Sequence, residues 1–406
     1  MAPAPRQTDC TEIPTTIASR AISWLRKYLG NILLLFGGVI VALAIGEVAA
    51  NYWVRYRQQL LLPYKMAEER YEAPDIVSFR EKYGGRVKLR GPSVFEKNKD
   101  ASASELLYSV YRAFDSTNRD NILIQGDSWA DYAVVAKPFL VKFAEQAKVG
   151  LINGGVSSSA PTPITIQLDF LRSEFDIHPT IVLAIIDQTD IGDELFRYKN
   201  RVFDASGRLI AWEGTDWTDK LVLFRSKRRD NLFSNRSAIG KLINHISIDL
   251  EERHAVLSLY SEPLGTDILS PLIEGPSRQT EDLFVETLHR YIGVVFEDTN
   301  VKKLIFVSHP HKGHLLPETD RRRFKGEVGR LIERAIGESF ARSKILHMDF
   351  LTTERTELEK AGSMEVFQSD DRFSHLTEEK YATYFYPAIA SYLAKASYLA
   401  KAALSE

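Results

Sequence analysis

The chain has 406 residues, 44% hydrophobic and 26% charged, the balance of an ordinary folded protein long enough for one large domain and an anchor, or two modest domains. Lys and Arg number 52 against 54 Asp and Glu, a formal net charge of −2, so the basic excess that a nucleic-acid partner requires is missing. The single cysteine, Cys10, excludes an intramolecular disulfide, and no apolar run precedes it as a lipoprotein leader would need.

A tail over residues 1–30 leads into NILLLFGGVIVALAIG at 31–46, which extends through Ala50 with Glu47 as its one charge. A helix needs about 20 mainly apolar residues to cross the hydrocarbon core, and Tyr52 and Trp53 follow as interface residues. A membrane anchor is therefore expected over 31–53. A cleaved signal peptide fits less well, because the run starts deep in the chain and no small-x-small site stands apart from it. A buried core helix is the third reading. Arg20, Arg26 and Lys27 precede the span and Arg55, Arg57, Lys65 and Arg70 follow it, so charge does not decide orientation. A short tail inside and the large C-terminal part outside is the expectation, as single N-terminal anchors usually lie.

Residues 54–115 are charged and aperiodic and read as a stalk and lead-in. A domain over 116–395 follows, with short apolar runs at Asn121–Gln125, Val149–Asn153, Thr180–Ile186, Lys303–Ser308 and Lys344–Met348. Continuous apolar runs suit strands covered on both faces. Helical patterns such as Thr280–Phe296 and Arg321–Ala341 lie between most of them. Alternating strands and helices imply an α/β fold with a parallel sheet, five-stranded here, between helices. An insertion at about 195–300 interrupts the rhythm. It holds a hairpin pattern, RVFDASGRLIAWE, and a basic run, Arg225, Lys227, Arg228 and Arg229, which reads as a solvated loop or as a lid touching anionic groups. The tail over 396–406 completes a second copy of SYLAKA, a local duplication without a functional reading.

In such a sheet, ligands sit beyond the carboxyl ends of the strands, and polar segments follow each strand here. They are Gly126-Asp127-Ser128-Trp129, Gly154-Gly155-Val156-Ser157, Asp187-Gln188-Thr189-Asp190, His309-Pro310-His311, and Asp370-Asp371-Arg372-Phe373-Ser374-His375-Leu376-Thr377. Acyl transfer needs a hydroxyl nucleophile, a base and oxyanion donors. Ser128 in a strand-to-helix turn supplies the first and His375 the second, with a carboxylate to orient the ring. The backbone N–H groups of Ser128 and Gly155 are candidate donors, with a third from the turn after the third strand. Asp127, Trp129, Asp190, His309 and His311 are expected to line the substrate. Three histidines at 309, 311 and 314 also admit a zinc reading, but no carboxylate spacing completes a familiar motif. The acidic turn Asp187, Asp190, Asp193, Glu194 reads as capping and solvated groups rather than a cation site. Neither metal nor cofactor is expected.

Taken together, strand-GDS-helix, Asn-x-Gly-x-Ser at 153–157, a polar turn after the third strand, and an acid before His-Leu-Thr resemble the SGNH (GDSL-like) hydrolase superfamily over about residues 118–395. The resemblance implies a flavodoxin-like five-stranded sheet, Ser128 as nucleophile, Gly155 as oxyanion donor and His375 as base. Two positions depart from the pattern. Thr189 stands where the family has Asn, leaving Thr189 or Gln188 as the side-chain donor. The position three before the histidine is Arg372, so the orienting acid is Asp371, or Asp370.

The function expected is a bacterial inner-membrane serine esterase or O-acyltransferase, anchored once, with a periplasmic catalytic domain. It would act on an O-acyl group, acetyl foremost, of a cell-envelope or secreted glycan, with a membrane-embedded protein as a conceivable acyl donor and no nucleic-acid partner. The rival readings are a lipid or thioester hydrolase at the membrane face and a catalytically silent assembly subunit on the same fold.

Overall fold

The computed structural model describes residues 15–92, 94–95, 98–111, 121–131, 137–213, 275–309, 311–315, 318–319, 323–325, 327–350 and 376–402. The chain divides into two units, Met1–Leu62 with Phe224–Arg253, and Pro63–Leu223 with His254–Glu406.

The first described element is helix α1, Thr15–Tyr71. Its stretch Lys27–Tyr52, 26 residues long, is apolar enough to cross a membrane. At about 1.5 Å rise per residue this stretch exceeds the hydrocarbon thickness of about 30 Å. Leu33, Leu34, Phe36, Ile40 and Leu43 are exposed on it, an arrangement that water disfavours and lipid does not.

The second unit is α/β. Its sheet has six strands, β1 (Ser109–Val110), β2 (Asn121–Gly126), β3 (Gly150–Asn153), β4 (Ile181–Ile186), β7 (Lys303–Ser308) and β8 (Ile345–Asp349), in the order β1-β3-β2-β4-β7-β8. All neighbours are parallel except β1, which pairs antiparallel with β3 through Ser109 opposite Asn153. The expected count of five strands is thus corrected to six. The added edge strand is two residues long, too short to show the alternation by which a strand is read from sequence. A separate hairpin, β5 (Asn200–Phe203) and β6 (Leu209–Glu213), forms where the Ser-Gly turn was expected, with Gly207 at φ 81°.

The middles of β2, β4 and β7 are apolar on consecutive residues because alternate side chains enter different layers. Leu123, Val182, Ala184, Leu304 and Phe306 join one core with helices α5 (Pro161–Phe175), α7 (Arg278–Glu297) and α9 (Val328–Glu338). Ile122, Ile124, Leu183, Ile185, Ile305 and Val307 join the other. That second core holds α4 (Lys137–Ala147) and the C-terminal helix, which opens at Glu378–Lys380, widens through a π-helical turn Tyr381–Phe385 and continues as α10 (Tyr386–Ala402).

The part of the lead-in from Pro74 to β1 contributes to the cores of this unit. Helix α2 (Pro74–Tyr83) carries Ile76 into a small core with Phe95 and Leu106, while Val87 and Leu107 join the sheet's own core.

Candidate active site

Strand β2 ends at Gly126 with φ 143°, and a side chain there would collide with the Ile185 carbonyl of β4. Only glycine fits both the dihedral and the contact. The chain then turns sharply into a short helix, α3 (Ser128–Asp131), whose Ala130 and Asp131 N–H groups donate to the Asp127 carbonyl at 2.9 and 3.0 Å. Ser128 is half-buried at the start of that helix, at the carboxyl edge of the sheet.

Beside it lies the loop after β3. Gly154 N–H donates to the Ile124 carbonyl (2.7 Å) and Val156 N–H to the Gly126 carbonyl (3.0 Å), which lashes the loop to the end of β2. Gly155 N–H donates to Asn153 Oδ1 at 2.7 Å, so this expected oxyanion donor is engaged within its own loop. A Cβ on Gly155 would sit 2.5 Å from the Ala130 carbonyl carbon and the Asp131 nitrogen. The missing side chain lets helix α3 approach the backbone here.

Ser158 has φ 59°, an uncommon left-handed conformation for a residue with a side chain. Its N–H and that of Ser128 both donate to Asp127 Oδ1, so two main-chain donors converge on one oxygen next to Ser128. Tyr198 Oη donates to the Ser158 carbonyl and fixes the turn from the other side.

The turn after β4 is a reciprocal cap. Asp190 N–H (3.2 Å), Thr189 N–H (2.9 Å) and the Thr189 hydroxyl (2.7 Å) donate to Asp187 Oδ1, and Asp187 N–H donates to Asp190 Oδ2 at 3.0 Å. Helix α6 (Asp190–Phe196) follows. The Gln188 side-chain oxygen accepts from Val328 N–H at 2.9 Å, in the first turn of α9. Thr189 and Gln188, the two candidates for the side-chain donor, thus both have structural partners. Asp127, Asp187 and Asp190 are buried with carboxylate oxygens within 4.8 Å of one another. Burial first, and repulsion from neighbouring carboxylates second, pushes Asp187 and Asp190 well above the usual carboxylate range.

Trp129 is buried against His309, ring centroids 5.1 Å apart, and the His309 ring also meets Phe385 at 5.1 Å. His309 Nε2 lies 3.1 Å from Tyr381 Oη, and Tyr386 Oη donates to the Trp129 carbonyl at 2.5 Å. His311 packs on Phe324 at 4.5 Å, its Nδ1 accepting from Gly313 N–H at 3.0 Å, and His314, in the short helix α8 (Lys312–Leu315), meets the same ring edge-on. Trp129, Asp190, His309 and His311 were expected to line the substrate. All four are buried, as is Asp127. Leu376 is buried in the same core as Trp129. His375, Asp371 and Asp370 lie outside the described residues.

Three contributors escaped the sequence reading: Ser158, Tyr198 and Arg90. A run of three serines, Ser157 to Ser159, does not say which one turns left-handed. A lone arginine before Gly91-Pro92 reads as a surface residue, yet Arg90 is buried.

No known family model matches the chain, and no curated protein matches it at significance.

Proposed function

We propose that the chain is a membrane-anchored serine esterase or O-acyltransferase of the SGNH type, with Ser128 as nucleophile. The observation that carries this reading is the convergence of the Ser128 and Ser158 N–H groups on one oxygen position beside Ser128. Two preorganised main-chain donors aimed at a developing oxyanion are what acyl transfer needs. The order of the five parallel strands, second-first-third-fourth-fifth, is the flavodoxin-like order, and the carboxyl edge is where its ligands bind. Leu376, adjacent in sequence to His375, shares a core with Trp129, adjacent to Ser128, which agrees with His375 as the base.

In the proposed reaction, His375 removes the Ser128 hydroxyl proton as the oxygen attacks an ester carbonyl, and Asp371 or Asp370 stabilises the imidazolium. The carbonyl oxygen becomes an oxyanion held by the two N–H groups, taking the place of the Asp127 carboxylate oxygen. Collapse expels the alcohol, which takes the proton from His375, and leaves an acyl-serine. Water or a sugar hydroxyl then accepts the acyl group by the same steps in reverse. The apolar helix, long enough to cross a membrane, supports a membrane location for this chemistry. We read it as the bacterial inner membrane, with the domain in the periplasm, an O-acylated envelope or secreted glycan as substrate, and a membrane-embedded protein as acyl donor where transfer operates.

One observation favours a second reading, a catalytically silent assembly subunit. Four donors near Ser128 have internal acceptors: Asp127 for the Ser128 and Ser158 N–H groups, Asn153 for Gly155, and Asp187 for the Thr189 hydroxyl. Fluorophosphonate labelling of the full-length protein in detergent separates the two. Labelling of wild type that is lost in Ser128→Ala supports the enzyme, whereas a folded wild type that takes no label establishes the silent subunit.

A further inference from the structure

We propose that Arg90, from the lead-in, is a positioning residue that holds the β3 loop and the nucleophile helix in register, an inference that rests on Ser128 being the nucleophile. Its side chain is 4% exposed. Nε donates to the Gly155 carbonyl (2.8 Å) and Nη2 to the Asn153 carbonyl (2.7 Å). Nη1 donates to Ser109 Oγ (2.7 Å) and the Glu105 carbonyl (3.0 Å). Nε also lies 3.3 Å from Asp131 Oδ1, on the helix that Ser128 begins. One guanidinium thus joins the lead-in, the edge strand, the β3 loop and α3.

The geometry points to placement of backbone donors. The loop clamped at Asn153 and Gly155 runs on to Ser158, and the helix clamped at Asp131 begins at Ser128. The separation of the two convergent N–H groups therefore depends on how loop and helix are fastened, and Arg90 touches both, alongside the Asn153 side chain, which accepts from Gly155 N–H and donates to the Ala130 carbonyl. Its planar fork sends donors in several fixed directions at once, which a lysine ammonium on a flexible stem does not reproduce. Displacement of a reacting group by about 1 Å is enough to cost ~100-fold in rate.

The test uses the full-length protein in detergent and separates the fluorophosphonate inactivation rate constant from the probe's binding constant, with melting temperature recorded alongside. For Arg90→Lys we expect an inactivation rate about 100-fold lower per folded molecule, with probe binding and the fold retained. Ser109→Ala, which removes one neutral contact to the guanidinium, should lower the rate by roughly 3-fold and keeps the test valid if Arg90→Lys does not fold. A merely structural role would lower the melting temperature and the labelled fraction without changing the rate constant. Wild-type inactivation rates in folded Arg90→Lys, or in Ser109→Ala should Arg90→Lys not fold, overturn the positioning role while Ser128 stands. A folded wild type that takes no label overturns the serine reading, and this inference with it.

Discussion

The two flanks of the Ser128 turn are held by different forces. On the β3 flank the contacts are directional: Asn153, Gly155 and Ser158 each have main-chain groups bound by Arg90, Asn153, Asp127 or Tyr198. On the β7 flank Trp129, His309, Tyr381 and Phe385 pack ring against ring, with the Tyr386 hydroxyl on the Trp129 carbonyl as a polar link. Hydrogen bonds fix where an N–H points, and ring packing mainly removes apolar area from water. The β3 flank should therefore govern rate, and the β7 flank stability.

The strongest way to break this comparison is to remove the lead-in. A chain beginning at residue 116, the domain start read from sequence, lacks β1, Arg90, Val87 and Leu107. It should yield no folded, labelling-competent protein, while a chain beginning at residue 63 should fold and label. Folding of both with equal labelling would show that the lead-in is dispensable.

Trp129→Ala comes next. Emptying a fully buried tryptophan site costs about 3–5 kcal/mol, so chemical denaturation should show a loss of that size, with little change in probe reactivity per folded molecule. Tyr386→Phe is milder. It leaves the buried Trp129 carbonyl without this donor, a loss of about 1–2 kcal/mol on the same measurement. A rate effect larger than the stability effect in either variant would erase the distinction between the flanks.

The smallest effect expected is a pH dependence. In the fold, Asp190 favours its protonated form, because burial and the nearby Asp187 and Asp127 oppose its charge. The stability this gives is fully present below the ordinary carboxylate value near 4. It is lost as pH rises from there through the raised folded value. Asp190→Asn keeps an acceptor for the Asp187 N–H and removes the titration. Its melting temperature should fall less than wild type's between pH 5 and 8, and parallel curves would contradict the shift.

Sequence pattern made the central parallel strands legible because β2, β3, β4 and most of β7 are buried on both faces, giving apolar runs bounded by turns. The positions of Ser128, Gly155 and Asp190 at the ends of those runs followed directly. What pattern did not reveal was which polar groups bind one another. The glycine at 155 was read as room for a substrate oxygen; pattern did not show that helix α3 also packs against it. Arg90 and Ser109 lie in an aperiodic stretch, and their importance comes from contacts with residues far along the chain. Thr189 and Gln188 were read as donors toward a ligand; pattern did not show that the Thr189 hydroxyl donates to Asp187 or that the Gln188 oxygen accepts from α9.

The central claim is that Ser128 carries the acyl group. Intact-mass measurement of the full-length protein after treatment with a fluorophosphonate, followed by peptide sequencing, tests it most directly. The account predicts one adduct per chain, located on Ser128 and absent from Ser128→Ala. An adduct on another residue, or none on a protein shown to be folded, would contradict it.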